Sequence, residues 1–221
     1  MKSLFFLPHF LFFPVAGLCL TGCLFKPVTD STRHFVLSPI PSNDQPAAAS
    51  RHLSIGIGPA RMPSELLQDS LGVYDGTNEI KYFKNAVWAE RLDHCFARTL
   101  AANLSRLLSS DGIYVDDWGR EQVMARVFVD VQQFEVDTRG TGTLIAQWRM
   151  TAPGKDLPFK RGLARLSRTG APPNDKPEVI ARTLSALTAD FSRELAQAIN
   201  ESTEKLSRAD RTGPNRDFET Q

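Results

Sequence analysis

The chain has 221 residues, of which 42% are hydrophobic and 23% charged. Its 26 basic and 25 acidic residues leave a formal net charge of +1, which excludes the global positive field that attracts nucleic acid or an anionic membrane. The length suits one domain with tails, and we expect no nucleic-acid partner.

The first 22 residues differ in composition from the rest of the chain. Lys2 is their only charged residue, an apolar run extends from Leu4 to Leu20, and small residues follow it. This pattern predicts a signal peptide over residues 1–22. Prolines and a histidine interrupt the run, which argues against a spanning helix of about 20 uninterrupted apolar residues.

The sequence Leu20-Thr21-Gly22-Cys23 ends the apolar run and resembles the bacterial lipobox. The resemblance implies that a peptidase recognises Leu20, Thr21 and Gly22, cuts before Cys23 and discards Cys19. The Cys23 thiol then carries diacylglycerol and its amino group an N-acyl chain, and no other cofactor is expected. An ordinary secretory signal with a chance cysteine is the alternative.

The predicted lipid anchor also suggests a location. Two or three acyl chains, at about 0.8 kcal/mol per buried methylene, hold a protein stably on a membrane. In the enterobacterial sorting rule an aspartate after the lipidated cysteine favours the inner membrane, whereas Leu24 follows here. We therefore expect an outer-membrane lipoprotein that faces the periplasm, with residues 23–32 as its lipidated N-terminus and tether.

The first part of the mature chain reads as strands. Residues 33–39 suggest a first strand, and a connector rich in proline, serine and alanine follows over residues 39–50. Leu53, Ile55 and Ile57 alternate with small or polar residues, which predicts another strand. Two alternating arms around Asp75-Gly76 then favour a hairpin.

Two amphipathic helices are predicted. The first spans residues 86–109, where apolar residues recur every three or four positions. Cys95 lies on its apolar stripe, which favours a small buried hydrophobe over a reactive thiol. The second helix opens at Asp175, with Pro177 in the first turn and Glu178 completing a capping box.

A run of strands separates the helices. Val127, Val129 and Val131 share one parity, whereas Phe134 and Val136 share the other, which predicts a bulge near residues 132–133. Two further strands follow, in "LIAQWRM" and "FKRGLARLSRT". The predicted fold is α+β, a mostly antiparallel sheet packed against two long amphipathic helices.

The predicted organisation is therefore a signal peptide, a tether and one folded domain. The domain spans residues 33–206. Residues 207–221 lack any hydrophobic periodicity, and we expect this tail to be disordered.

The sequence contains no recognisable catalytic or metal-binding motif. It lacks HExxH, CxxC and GxSxG, so we expect neither a metal nor an enzyme. A basic stretch on the last predicted strand stays open to two interpretations, a solvated sheet face or a contact with an acidic partner or lipid headgroups. It consists of Lys160, Arg161, Arg165 and Arg168.

Several blocks together resemble a known family, the ABC-type transport auxiliary lipoproteins related to the paraquat-inducible protein C lipoprotein. The blocks cover roughly residues 33–200 in the family's order, and read "HFVLSP", "IGIGPARMP", "NAVWAERLDHCFARTLAANLSRLL", "VFVDVQQFEVD", "LIAQWRM" and "LSALTADFSRELAQAI". One departure follows the proline at position 63. The family tends to have Tyr-Leu-Asp-Arg-Pro there, whereas this chain has residues 65–69, "ELLQD".

The resemblance implies a role beside an MCE-type lipid transport system. Its partners would be an MCE-domain protein and an inner-membrane ABC permease and ATPase, and the lipoprotein would dock this assembly, as a possible ring of identical subunits. The candidate partner surface consists of Arg61, Met62, Pro63, Glu65 and Asp69.

Two other functions stay open. A periplasmic lipid-binding carrier would open the apolar interface between sheet and helices to hold acyl chains. A periplasmic enzyme would need polar pocket residues that the sequence does not identify.

Overall fold

The computed structural model describes residues 31–41, 53–76, 78–115, 123–154 and 157–211, with side chains described as far as residue 203. The predicted signal peptide, Leu20, Thr21, Gly22, Cys23 and most of the tether lie outside the described residues. So do residues 42–52, 116–122 and 212–221.

Strands and helices alternate irregularly along the chain, which confirms the predicted α+β class. In chain order the elements are β1 (Arg33–Phe35), β2 (Ile55–Ile57), a 3-10 helix (Ser64–Leu67), β3 (Ser70–Asp75), β4 (Glu79–Trp88), α1 (Leu92–Leu108), β5 (Ile113–Val115), β6 (Ala125–Val136), β7 (Thr141–Thr151), β8 (Pro158–Thr169) and α2 (Pro177–Arg211).

The strands form two sheets where the sequence predicted one. The smaller has the order β1-β4-β3 and the larger the order β5-β2-β6-β7-β8. Antiparallel pairing joins β3 to β4, β6 to β7 and β7 to β8, so the long ladders agree with the prediction. The three-residue strands β1, β2 and β5 pair in parallel, which the sequence did not indicate.

Two local predictions about the strands are confirmed. Strands β3 and β4 form the hairpin, with Asp75 opposite Glu79 and Gly76 at a φ of 73°. The ladder between β6 and β7 shifts register between Val131 and Gln133. This bulge keeps Phe134 on the buried face although its parity differs from that of Val131.

The first helix begins later than predicted, at Leu92 instead of residue 86. Ala86 and Trp88 are buried, but they belong to β4. Their spacing of two residues fits one face of a strand and not one face of a helix. At these residues β4 pairs with β1, which lies over fifty residues earlier in the chain. The periodicity of a single sequence does not reveal that two strands so far apart in the chain are paired.

The second helix starts at Pro177, so Pro177 lies in its first turn as predicted, while Asp175 precedes the helix by two residues. The helix ends at Arg211. The backbone over residues 207–211 is therefore helical, although the sequence placed these residues in a disordered tail.

One core joins both helices to both sheets. Phe96 of α1 lies edge-on to Phe134 of β6, with ring centroids 5.3 Å apart, and stacks on Phe191 of α2 at 6.0 Å. All three rings are at most 1% exposed. Leu100, Leu187 and other aliphatic side chains fill the space around them, so the interface between sheets and helices is closely packed.

Polar contacts fix the direction of α2 against β8. Lys160 Nζ donates to the carbonyl of Ala198 and to the Glu201 carboxylate, both at 2.9 Å. Near the other end of β8, Arg168 Nη2 donates to Asp190 Oδ1 at 2.8 Å. The start of β8 therefore contacts a later part of α2 and the end of β8 an earlier part, so the two elements run antiparallel.

We expect Asp190→Asn to lower the free energy of unfolding by about 1–2 kcal/mol at neutral pH, because Asp190 accepts charge-assisted bonds from Arg168 and Arg193. Arg168 holds the pKa of Asp190 below its usual range. This stabilisation is therefore present above the usual carboxyl pKa and is lost as the pH falls through the lowered value. Urea unfolding at pH 7 and in acid checks this, and a deficit that stays constant in acid would contradict it.

Candidate functional site

The segment that follows β1, residues 37–40, is held against α1 by three side chains. We call it the strap. Cys95 Sγ accepts a hydrogen bond from the Leu37 amide at 3.2 Å, and Thr99 Oγ1 donates to the Leu37 carbonyl at 3.3 Å. One turn further, Asn103 Oδ1 accepts from the Ile40 amide at 2.8 Å. A row at spacing i, i+4, i+8 on α1 therefore binds the strap backbone.

Helix α2 holds the other side of the strap. The Ser38 amide donates to Ser185 Oγ at 3.0 Å. Asn103, which is 0% exposed, also donates through Nδ2 to Ser192 Oγ at 3.0 Å. Both helices thus fix the backbone of the strap directly after β1.

The sequence did not predict the hydrogen bonds between the strap and α1. The prediction that Cys95 is buried is confirmed, and burial raises the pKa of its thiol, which disfavours the reactive thiolate. Its role as a hydrogen-bond acceptor was not predicted. Cys95 was assigned to the apolar stripe and Thr99 and Asn103 received no role, because small polar residues on a helix carry little signal of their own.

The candidate partner surface forms one continuous turn of chain at the molecular surface. Arg61, Glu65 and Asp69 are exposed, whereas Met62 and Pro63 are half-buried. Met62 packs against the core. Docking through these residues stays a prediction.

Backbone contacts hold that surface in place. The Arg61 amide donates to the Val129 carbonyl at 3.0 Å, and its carbonyl accepts from Val131 at 2.8 Å, so Arg61 continues the larger sheet. The Asp69 carbonyl accepts from the Trp88 amide at 2.7 Å. The candidate surface is therefore tied to both sheets at its two ends.

A half-buried acid lies beside the candidate surface. Glu135 hydrogen bonds with the phenol of Tyr74, and burial raises the pKa of Glu135 above its usual value. Burial and the nearby Glu135 charge also raise the pKa of Tyr74 to about 12. Glu65 lines the same cleft, and the charges of Glu65 and Asp137 repel the Glu135 carboxylate, so ionised Glu135 costs stability.

We expect Glu135→Gln to stabilise the fold at neutral pH. A raised folded pKa means that the native state loses stability as the pH rises from the usual glutamate value through the folded one. Glutamine stays neutral throughout, so the advantage of the variant should grow with pH and disappear in acid. Urea midpoints between about pH 4 and pH 8 measure this. Exposed Glu79→Gln controls for the lost charge, and an equal shift there would contradict the burial argument.

The structure divides the basic stretch of β8 into two pairs. Lys160 and Arg168 point towards α2 and bind its acidic side chains. Arg161 and Arg165 are exposed on the opposite face of the sheet, and neither forms an ion pair with any described residue. Only half of the predicted stretch therefore contributes to holding the fold together.

The described residues provide neither a metal site nor a membrane-spanning helix. No group of three or more histidine, cysteine or acidic side chains lies close enough to hold a metal ion in the part of the chain that the structure describes. Within those same ranges, none of the helices combines the length and apolarity needed to cross a bilayer.

Comparison with known proteins identifies a family match. The family model for the ABC-type transport auxiliary lipoprotein component matches residues 35–196. No curated protein matches the chain. The crystal structure of protein XCC0632 from Xanthomonas campestris, of the family model DUF330, is similar with a TM-score of 0.62 and 12% identity, covering 80% of this chain and 99% of that one.

A second crystal structure, of an uncharacterized protein, is similar with a TM-score of 0.55 and 18% identity, covering 74% of this chain and 98% of that one. At these identities the likeness to both solved structures establishes a shared fold.

Proposed function

Because the chain belongs to the ABC-type transport auxiliary lipoprotein family, a family of transport components and not of enzymes, we propose that it docks an MCE-type ABC lipid transport system at the outer membrane. It acts there as a non-catalytic auxiliary component facing the periplasm, and it contributes to intermembrane lipid transport. The observation that carries this proposal is the family match, which begins at residue 35, shortly after the lipobox.

Cys23 is the proposed anchor, through its diacylglycerol and N-acyl chain. About ten residues separate it from β1, which at 3.3–3.6 Å per residue allows a reach of roughly 35 Å at most. The strap then fixes the chain between α1 and α2. The tether therefore keeps the domain near the membrane while leaving its surface available to a partner.

The proposed partners are an MCE-domain protein and, through it, an inner-membrane ABC permease and ATPase. The turn from Arg61 to Asp69 is the proposed contact, since three of its five candidate side chains are exposed on a rigid support. Several copies arranged as a ring would multiply this contact.

Packing argues against the alternative of a lipid carrier that opens between sheets and helices. Phe96, Phe134 and Phe191 fill that interface at no more than 1% exposure. The cleft that reaches Phe134 and Leu184 from the surface has a volume of about 30 Å³, far below the 300–1,000 Å³ of usual ligand sites. A carrier would have to break this core in order to load an acyl chain.

Purification of the full-length lipoprotein from detergent-solubilised envelopes distinguishes the two functions. We expect an MCE-domain protein to co-purify, with no stoichiometric phospholipid left on the lipoprotein after the partner is removed. One tightly held phospholipid per chain, recovered without any MCE-domain protein, would support the carrier and contradict docking.

A further inference from the structure

A groove lies on the outer face of the larger sheet, away from α1 and α2. Its volume is about 630 Å³, and it crosses β8, β7 and β6 to reach Pro59 and Arg61. This size falls within the usual range of binding sites. Arg61 belongs both to this groove and to the candidate partner surface, so the two are continuous.

Like charges face each other in this groove. Arg149 of β7 and Arg161 of β8 are directly opposite in the ladder, on the same exposed face. Such a cross-strand pair destabilises a sheet, and no described acidic side chain forms an ion pair with either residue. Arg149 lies over the ring of Phe128 at 4.6 Å, which holds its guanidinium at the groove. An incoming anionic group would relieve the repulsion.

The row of the sheet next to these arginines contains an acidic, an amide and an apolar side chain. Asp130, Gln147 and Leu163 are neighbours across β6, β7 and β8. Leu163 is 41% exposed and offers an apolar contact, while the carboxylate and the amide offer hydrogen-bond acceptors and a donor. The groove therefore presents arginines at both ends with apolar and amide-binding groups between them.

We propose that this groove is the docking site for an acidic, extended polypeptide segment of a partner protein. One carboxylate of the segment binds between Arg149 and Arg161 and a second binds Arg61. An apolar side chain packs on Phe128 and Leu163. Asp130 accepts a hydrogen bond from a peptide N–H, and the neighbouring Gln147 amide can both donate to a peptide carbonyl and accept from a peptide N–H, so this row suits a polypeptide backbone.

This inference names a surface for the proposed docking function and rests on it. The identity of the transport system does not enter the argument. A partner is specified only by its chemistry, which is an acidic segment with alternating apolar residues.

A fluorescein-labelled peptide of alternating glutamate and valine tests the groove, with the full-length lipoprotein in detergent and anisotropy as the readout. We expect saturable binding that weakens with salt, and about a tenfold loss of affinity in Arg161→Gln. Arg182→Gln, which removes an exposed arginine on α2, should bind like the parent. Arg161→Gln should not lower the thermal midpoint, since it removes a repulsion.

Four results would overturn the proposal: no binding, equal binding of a lysine–valine peptide, equal loss in Arg182→Gln, or no loss in Arg161→Gln. Arginine-dependent binding to phosphatidylglycerol vesicles without peptide binding would assign the groove to a membrane surface instead. Peptide binding that appears only after removal of residues 212–221 would assign it to the chain's own tail. Co-purification of an MCE-domain protein without peptide binding would overturn the groove and leave the proposed function standing.

Discussion

Replacing Cys23 with alanine is expected to remove the protein from the outer-membrane fraction. The substitution deletes the thiol that is proposed to carry diacylglycerol, and without that modification a lipoprotein peptidase would have no substrate. Two or three acyl chains at about 0.8 kcal/mol per methylene account for stable membrane attachment, and no other described feature replaces them. Fractionation of envelopes, with immunoblotting of each fraction, measures the effect.

Cys19→Ala is the matched control for this prediction. Cys19 lies four residues before Cys23 in the predicted signal peptide, so its loss should leave processing and fractionation unchanged. A processed Cys23→Ala protein that still fractionates with the outer membrane would contradict the anchor assignment.

The largest effect on stability is expected for Asn103→Leu, which should lower the free energy of unfolding by about 2–4 kcal/mol. Leucine matches asparagine roughly in size but leaves the Ile40 amide without its acceptor and removes the bond to Ser192. Each buried polar group left unsatisfied costs about 1–3 kcal/mol. Urea unfolding measures the loss, and hydrogen exchange at the Ile40 amide should accelerate.

Asn85→Leu provides the comparison, because Asn85 also hydrogen bonds to a serine, Ser31, but at an exposed site. We expect a change within about 0.5 kcal/mol. Equal losses for the two variants would show that the strap contacts contribute nothing specific to stability.

The sequence predicted the features that depend on residues close together in the chain. The bulge between Val131 and Phe134 could be read from a change of parity, and the hairpin from Asp75-Gly76. Pro177 could be placed in the first turn of α2 because the missing N–H of proline is tolerated there.

The sequence did not predict features that depend on contacts between residues far apart in the chain. The end of β4, residues 86–88, was assigned to a helix because its partner, β1, lies far back in the chain. The strap has no pattern of its own, since its contacts join a backbone segment to three separate positions on α1. The facing arginines of the groove became visible only through the register of β7 and β8.

The assignment of Cys23 as the lipid anchor and of an MCE-domain protein as the partner is based on the sequence and the family alone. Cys23 and its lipobox lie outside the described residues, so Cys23 as the lipid anchor stays a prediction. The fold adds a rigid support for the candidate surface at Arg61 and Asp69.

Crosslinking in living cells tests the central claim most directly. Tagged full-length lipoprotein is crosslinked, purified under denaturing conditions and analysed by mass spectrometry, with Cys23→Ala in parallel. The proposed function predicts adducts that contain an MCE-domain protein and fractionate with the outer membrane for the parent, and a loss of that fractionation for Cys23→Ala. Parent adducts without any MCE-domain protein or ABC transporter subunit would contradict it.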